Sequence, residues 1–234
     1  MCPRARQDEK EKMEILNDIP FSVEMAEVVR RIRVGNEAPE DTRLLLEQVN
    51  PLISAKAAYR VSFVDSRSED AVTLDGIGFS SRVLRRHLDR VQKVFPYVVT
   101  IGHALEERGQ QAPGPLEKYY IDEIGNIAVV KARAYLENHL KEKYGIKRLS
   151  TMGPGQLKDW PIEEQRKLFN LLGNVEDAIG VSIEEHLFMS PFKSLSGIYF
   201  PTEVTFFTCQ LCSREKCPSR RAEYDEKMAE EYGA

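Results

Sequence analysis

The residues with the clearest chemical potential are three cysteines, Cys209, Cys212 and Cys217, in the stretch TCQLCSREKCPSRR that runs from Thr208 to Arg221. A gap of two residues lets successive thiolates meet at metal-ligand separation. A structural zinc or a cubane cluster wants four ligands, so Cys2 or a histidine would have to complete the set. Arg214, Lys216, Arg220 and Arg221 flank the thiols and would lower their pKa values. Zinc, an iron–sulfur cluster and a metal-free redox-active cluster all remain open on this spacing. Soft sulfur ligands favour either metal over magnesium or calcium.

A second group is the turn RLSTMGPGQLKDW, Arg148 to Trp160, which leads into a helix at Pro161. Gly153 and Gly155 permit close backbone approach to a ligand, and the helix start supplies N–H donors. An ordinary loop before a helix would use the same residue types. The third group is FMSPFKSLSGIYF, Phe188 to Phe200. If it is extended, Ser194 and Ser196 share one face, because strand side chains alternate. Serines on the solvated face of an edge strand would look alike.

Other chemistry lacks local support. No HExxH, GxSxG or GxxxxGK pattern occurs, and no general acid–base pair stands out. His87 and His139 fall in charged helical stretches and are expected in solvent; His103 and His186 are less defined.

The elements that must position these groups can be read from periodicity. Ile15 to Asp18 and Ile19-Pro20-Phe21 are expected to lead into a helix carrying Met25, Val28, Val29 and Ile32 and ending at Gly35-Asn36. A second begins near Pro39-Glu40-Asp41 and is disrupted at Pro51. Together the two read as an adaptor or lever outside the core. Short β-type runs follow at Tyr59 to Val64, Ala71 to Leu74 and Val94 to Ile101, with a helix from Ser81 to Arg90 among them. Leu116 to Tyr144 is the long central helix, closed by Gly145. A helix from Pro161 stops at Gly173, two strands lie between His186 and Phe207, and a charged helix ends the chain.

The chain has 234 residues, long enough for one full core, with 33 Lys+Arg against 37 Asp+Glu. A formal net charge of −4 gives no global field for a polyanion, so nucleic acid is not an expected partner. No apolar run reaches the roughly 20 residues of a membrane span, and the N-terminus lacks a secretory signal. Clustered rather than dispersed cysteines suit a reducing compartment, so a soluble cytoplasmic protein is expected.

In order, YLENHLKEKYG, PGQLKDWPIEEQRKLFNLLG and MSPFKSLSGIYF resemble the activation domain of vitamin B12-dependent methionine synthase. That family has an EYLH helix, RxxPGYP running into TEKxxxWxLL, and WPxxSVSGWYF. The likeness covers about residues 57 to 207 and is strongest to short stand-alone members. It implies an α+β fold, an antiparallel sheet bordered by helices, with a helical extension over 1–56 and a cysteine cluster and helix over 208–234.

It also implies a function: an accessory factor, not an enzyme by itself, for reductive reactivation of a cobalamin-dependent methyltransferase. It would dock on the corrinoid protein, and a reductase is a further partner. The family binds S-adenosylmethionine, and the residues that would line its groove are Arg148, Pro154, Gly155, Glu164 and Tyr199, with Ser194 and Ser196 beside them. Gln156 stands where the family has a tyrosine, Val130 where it has an acidic residue, and Arg148 lies farther from Pro154 than the family's arginine. The alternative is a small iron–sulfur or zinc metalloprotein carrying electrons, or docking, on the same scaffold. Direct methyl transfer would need a base or nucleophile that the sequence does not offer.

Overall fold

In the computed structural model, residues 12–32, 40–217 and 219–232 are described. The expected helix end at Gly35-Asn36, Pro39 and the candidate ligand Cys2 lie outside them.

The framework is an antiparallel sheet built on one strand, β6 (Lys93–Thr100). On one side β6 pairs antiparallel with β2 (Lys56–Tyr59) and, farther along, with β3 (Ser62–Arg67). β3 then leaves to form a meander with β4 (Ala71–Leu74) and β5 (Ile77–Ser80). On the other side β6 pairs with β10 (Ser194–Pro201), whose far side pairs with the four-residue strand β7 (Leu149–Met152). β1 (Glu14–Leu16) extends the sheet beyond β2, and β8 (Ser182–Ile183) with β9 (Met189–Ser190) forms a separate two-stranded ribbon.

Alternation along β6 and β10 divides the core into two layers. Phe95, Tyr97 and Val99, with Tyr199 from β10, point to one face, where they meet the long helix α5 (Pro115–Tyr144) through Ala128, Ala132 and Leu136. Val94, Val98, Ile198 and Phe200 point to the other face. There they meet α6 (Gln165–Leu172) and α7 (Val175–Ile179), with α3 (Arg82–His87) and the C-terminal α8 (Glu226–Tyr232) at the margin. The polar helix α4 (Ala104–Gln110) leads into α5. Gly145, in the left-handed region at φ 64°, ends α5, as the sequence suggests.

Three elements differ from the sequence reading. The two N-terminal helices, α1 (Met25–Ile32) and α2 (Glu40–Val49), are not a lever: Val28, Leu45, Leu46 and Val49 are buried in the α5 layer. Each helix turns an apolar stripe inward, and both pack against α5. Glu14–Leu16 is a strand rather than helix lead-in, because the free edge of β2 takes it up. Leu149–Met152, expected to be irregular, is β7; all four of its residues are buried, so no alternation marked it.

Among the described residues, no helix is long and apolar enough to cross a membrane.

Candidate functional site

The glycine loop follows β7 directly. A Cβ on Gly153 would stand 2.6 Å from the Ser196 carbonyl, so the chain can pass against β10 there only without a side chain. Gly155 has φ +78° and its N–H donates to the Trp160 carbonyl at 2.7 Å; an added Cβ would meet Ile162 Cδ1 at 2.9 Å. Pro154 is buried between them. Asp159 tethers the far end of the loop by accepting from the Val83 N–H at 3.0 Å, at the start of α3. The loop is thus fixed to both β10 and α3.

The remaining candidates separate into three places. Ser194 and Ser196 do share a face of β10, and it is the α6 face: the Ser196 hydroxyl reaches Gln165 Oε1 at 3.5 Å. Ser194 is satisfied locally, donating to the Pro191 carbonyl at 2.7 Å and lying 2.9 Å from Thr100 Oγ1. Glu164 is also on this side. It is 8% exposed, accepts from the Ser80 N–H at 3.2 Å and pairs with Lys167 at 2.6 Å.

Tyr199 lies on the opposite face. It is fully buried, stacks on Tyr97 at 4.5 Å between ring centroids, and its hydroxyl donates to the Arg133 carbonyl at 3.2 Å. The expectation that Glu164, Ser196 and Tyr199 converge in one cleft is therefore corrected: adjacent strand positions point to opposite sides of the sheet. Arg148 does not join them either. It precedes β7 while the glycine loop follows it, a separation of roughly 13 Å at about 3.3 Å per residue, and its guanidinium donates to the Glu203 carbonyl at 2.6 Å.

Around Tyr199 the structure assembles groups that the sequence reading passed over. The Tyr97 and Thr151 hydroxyls are 3.1 Å apart. Only one of them can donate in that contact, so one hydroxyl proton is left for another acceptor. Arg133 of α5 and Arg221 of the cysteine segment approach the tyrosine pair, as does Glu137, whose carboxylate is paired with Lys141; neither guanidinium forms an ion pair among the described residues. Burial first, then the Arg133 charge, lowers the pKa of Arg221. Burial raises both tyrosines, which therefore stay protonated donors. Arg221 lies 4.5 Å over the Phe207 ring. Two arginines in charged, exposed-looking contexts carry no local sequence signal; only the packing of the C-terminal segment beside β7 brings them together.

The cysteine segment is a compact loop that begins with a short 3-10 turn, Thr208–Leu211. Arg220 fills its interior, donating to the carbonyls of Cys209 and Cys212 at 3.1 Å each and of Ala222 at 3.2 Å. The Arg221 N–H points at Cys209 Sγ at 3.4 Å. All three cysteines are free thiols, and among the described residues no three His, Cys, Asp or Glu side chains are arranged to hold a metal. Among the described residues the convergence expected from their spacing is not formed; the Arg220 guanidinium bridges the loop's carbonyls.

The two histidines expected in solvent are also corrected. His87 is wedged between aromatic rings, 4.0 Å from Phe206 and 5.3 Å from Tyr232. Burial, and then the nearby Arg86 charge, pull its pKa down to about 4. His139 Nε2 lies 3.1 Å from the Tyr59 hydroxyl.

The elements on both sides of β7 thus form one block: the second half of α5, β7, the glycine loop, α6, β10 and the cysteine segment. Residues 132–224 match the vitamin B12 dependent methionine synthase activation-domain family. The match takes in every part of that block, and it carries the sequence resemblance beyond residue 207 into the cysteine segment. Among solved structures, the MetH reactivation domain bound to AdoHcy superposes with a TM-score of 0.56 at 14% identity, covering 84% of this chain and 80% of that one. At that identity the shared property is the fold, the α+β arrangement expected from the resemblance. No curated protein matches the sequence.

Proposed function

We propose that this chain is an accessory factor for reductive reactivation of a cobalamin-dependent methyltransferase, docking on the corrinoid-bearing partner and holding S-adenosylmethionine beside β7. The observation that carries the reading is the activation-domain match over 132–224, which spans the whole block around β7. The neighbouring fold was crystallised with AdoHcy, the demethylated form of that ligand.

The chain's own residues fit an amino-acid-bearing ligand on the α5 side of the sheet. Arg133 and Arg221 supply guanidinium forks that form no ion pair among the described residues, suited to a ligand carboxylate. The unpaired hydroxyl proton of the Tyr97–Thr151 pair is a further donor. Glu164 serves the opposite face and Arg148 the far end of β7, so neither belongs to this ligand set. Once a partner reductase had delivered one electron to cob(II)alamin, S-adenosylmethionine would donate its methyl group to the resulting cob(I)alamin and leave as S-adenosylhomocysteine.

Calorimetric titration of the full chain with S-adenosylmethionine tests the ligand, and an Arg133→Gln substitution is expected to weaken binding about tenfold, the worth of one charge-assisted contact. Incubation with a cob(II)alamin-loaded corrinoid protein tests the role. The absence of both complex formation and any change in the corrinoid spectrum would overturn it. The metalloprotein reading gains no support from the loop as it is folded, since Arg220 occupies its centre.

A further inference from the structure

At the far end of β7 from the glycine loop is a cavity of about 820 Å³, unconnected with the reading above. Its walls come from the end of α3, the start of β6, the turn after α5, the segment after β10, and α8. The volume lies in the range of small-molecule sites, roughly 300–1,000 Å³. Phe206, Met228 and Tyr232 give it an apolar floor.

Its charge runs against that of the chain. The protein has a formal net charge of −4, yet the lining includes the cations Arg90, Lys93, Lys147 and Arg148 and a single carboxylate, Glu203. Arg90, Lys147 and Arg148 form no ion pair among the described residues. Arg148 is nonetheless held in place, by its bond to the Glu203 carbonyl. Arg90, Lys147 and Arg148, gathered on a concave apolar surface against the single carboxylate of Glu203, focus a positive potential where an anion could enter. His87 also lines the cavity, and its Nε2 is buried without a hydrogen-bond partner. A buried polar atom of this kind calls for a partner that the chain does not supply.

We infer that this cavity binds an amphipathic small-molecule anion: a carboxylate or phosphate facing Arg90, Lys147 and Arg148, on an apolar or aromatic body seated against Phe206, Met228 and Tyr232. The apolar floor alone would take a neutral ring. The excess of cations makes the acid the preferred form.

The probe is 8-anilinonaphthalene-1-sulfonate, an aromatic anion whose fluorescence rises in apolar sites, titrated into the full chain. Saturable binding is expected, displaced by benzoate or phenyl phosphate but not by benzyl alcohol. The stronger of the two displacers identifies the acid as carboxylate or phosphate. An Arg90→Gln, Lys147→Gln, Arg148→Gln triple variant should bind at least about tenfold more weakly, as should the wild type in about 1 M salt, where the screening length is about 3 Å. All three positions are on the surface rim, so the variant should retain the wild-type unfolding midpoint within error. The inference is overturned by absent saturable binding, by equal displacement by benzyl alcohol, or by a folded triple variant that binds like the wild type.

Discussion

Tyr97 and Gly197 are register partners on adjacent strands, and the tyrosine ring occupies the space that a side chain at 197 would need. A Cβ there would stand 3.2 Å from the Tyr97 hydroxyl and 2.6 Å from the Met152 carbonyl. The glycine therefore lets β7, β10 and the buried tyrosine pair pack together. Gly197→Ala should destabilise the protein by about 1–3 kcal/mol, the usual cost of overpacking, as read by urea denaturation. An unchanged midpoint would mean that both the tyrosine and the Met152 backbone give way without cost.

His87 predicts an acid-side loss of stability. Its folded pKa of about 4 lies below its ordinary value of 6.5. The unfolded chain thus binds the extra proton first as pH falls. Its contribution is complete above about pH 6.5, is lost on descending to about pH 4, and amounts to at most about 3 kcal/mol. His87→Phe should flatten the stability profile across that window; a slope equal to that of wild type would contradict the buried neutral imidazole.

Glu164 links α6 to the β-meander through the Ser80 N–H. Removing its carboxylate leaves that donor without its acceptor, so Glu164→Ala should lower stability by about 1–3 kcal/mol. Because Tyr199 is across the sheet, S-adenosylmethionine binding by the folded variant should match that of wild type. A selective loss of binding with stability intact would return Glu164 to the ligand site.

Arg220 holds the cysteine loop by its carbonyls. Arg220→Ala should loosen it and raise the alkylation rate of Cys209 and Cys212 by about five- to thirtyfold, corresponding to roughly 1–2 kcal/mol of lost local protection. Equal rates would show that the loop opens independently of the arginine.

Strong local signals made much of this protein legible. The long α5 and its Gly145 stop, the α6 segment between Pro161 and Gly173, and β4 and β6 follow from periodicity and from residues with restricted or permissive backbones. The ordered motifs from Tyr135 to Phe200 pointed to the activation-domain family before any coordinates. The paired serines were rightly placed on one strand face, since alternation is a local property.

Which face lay inward, and what met it there, was not local. Glu164 and Tyr199 look like parts of one site along the chain, but a sheet stands between them. Arg133 and Arg221, separated by most of the C-terminal half, come together only because the cysteine segment folds back beside β7. His87 lies in a helix rich in arginine, and it is buried only because Phe206 and Tyr232 arrive from elsewhere to cover it. The sequence determines backbone preference and the period of burial, which act over a few residues; the partners across the sheet are selected by packing, where distant segments compete for the same surface.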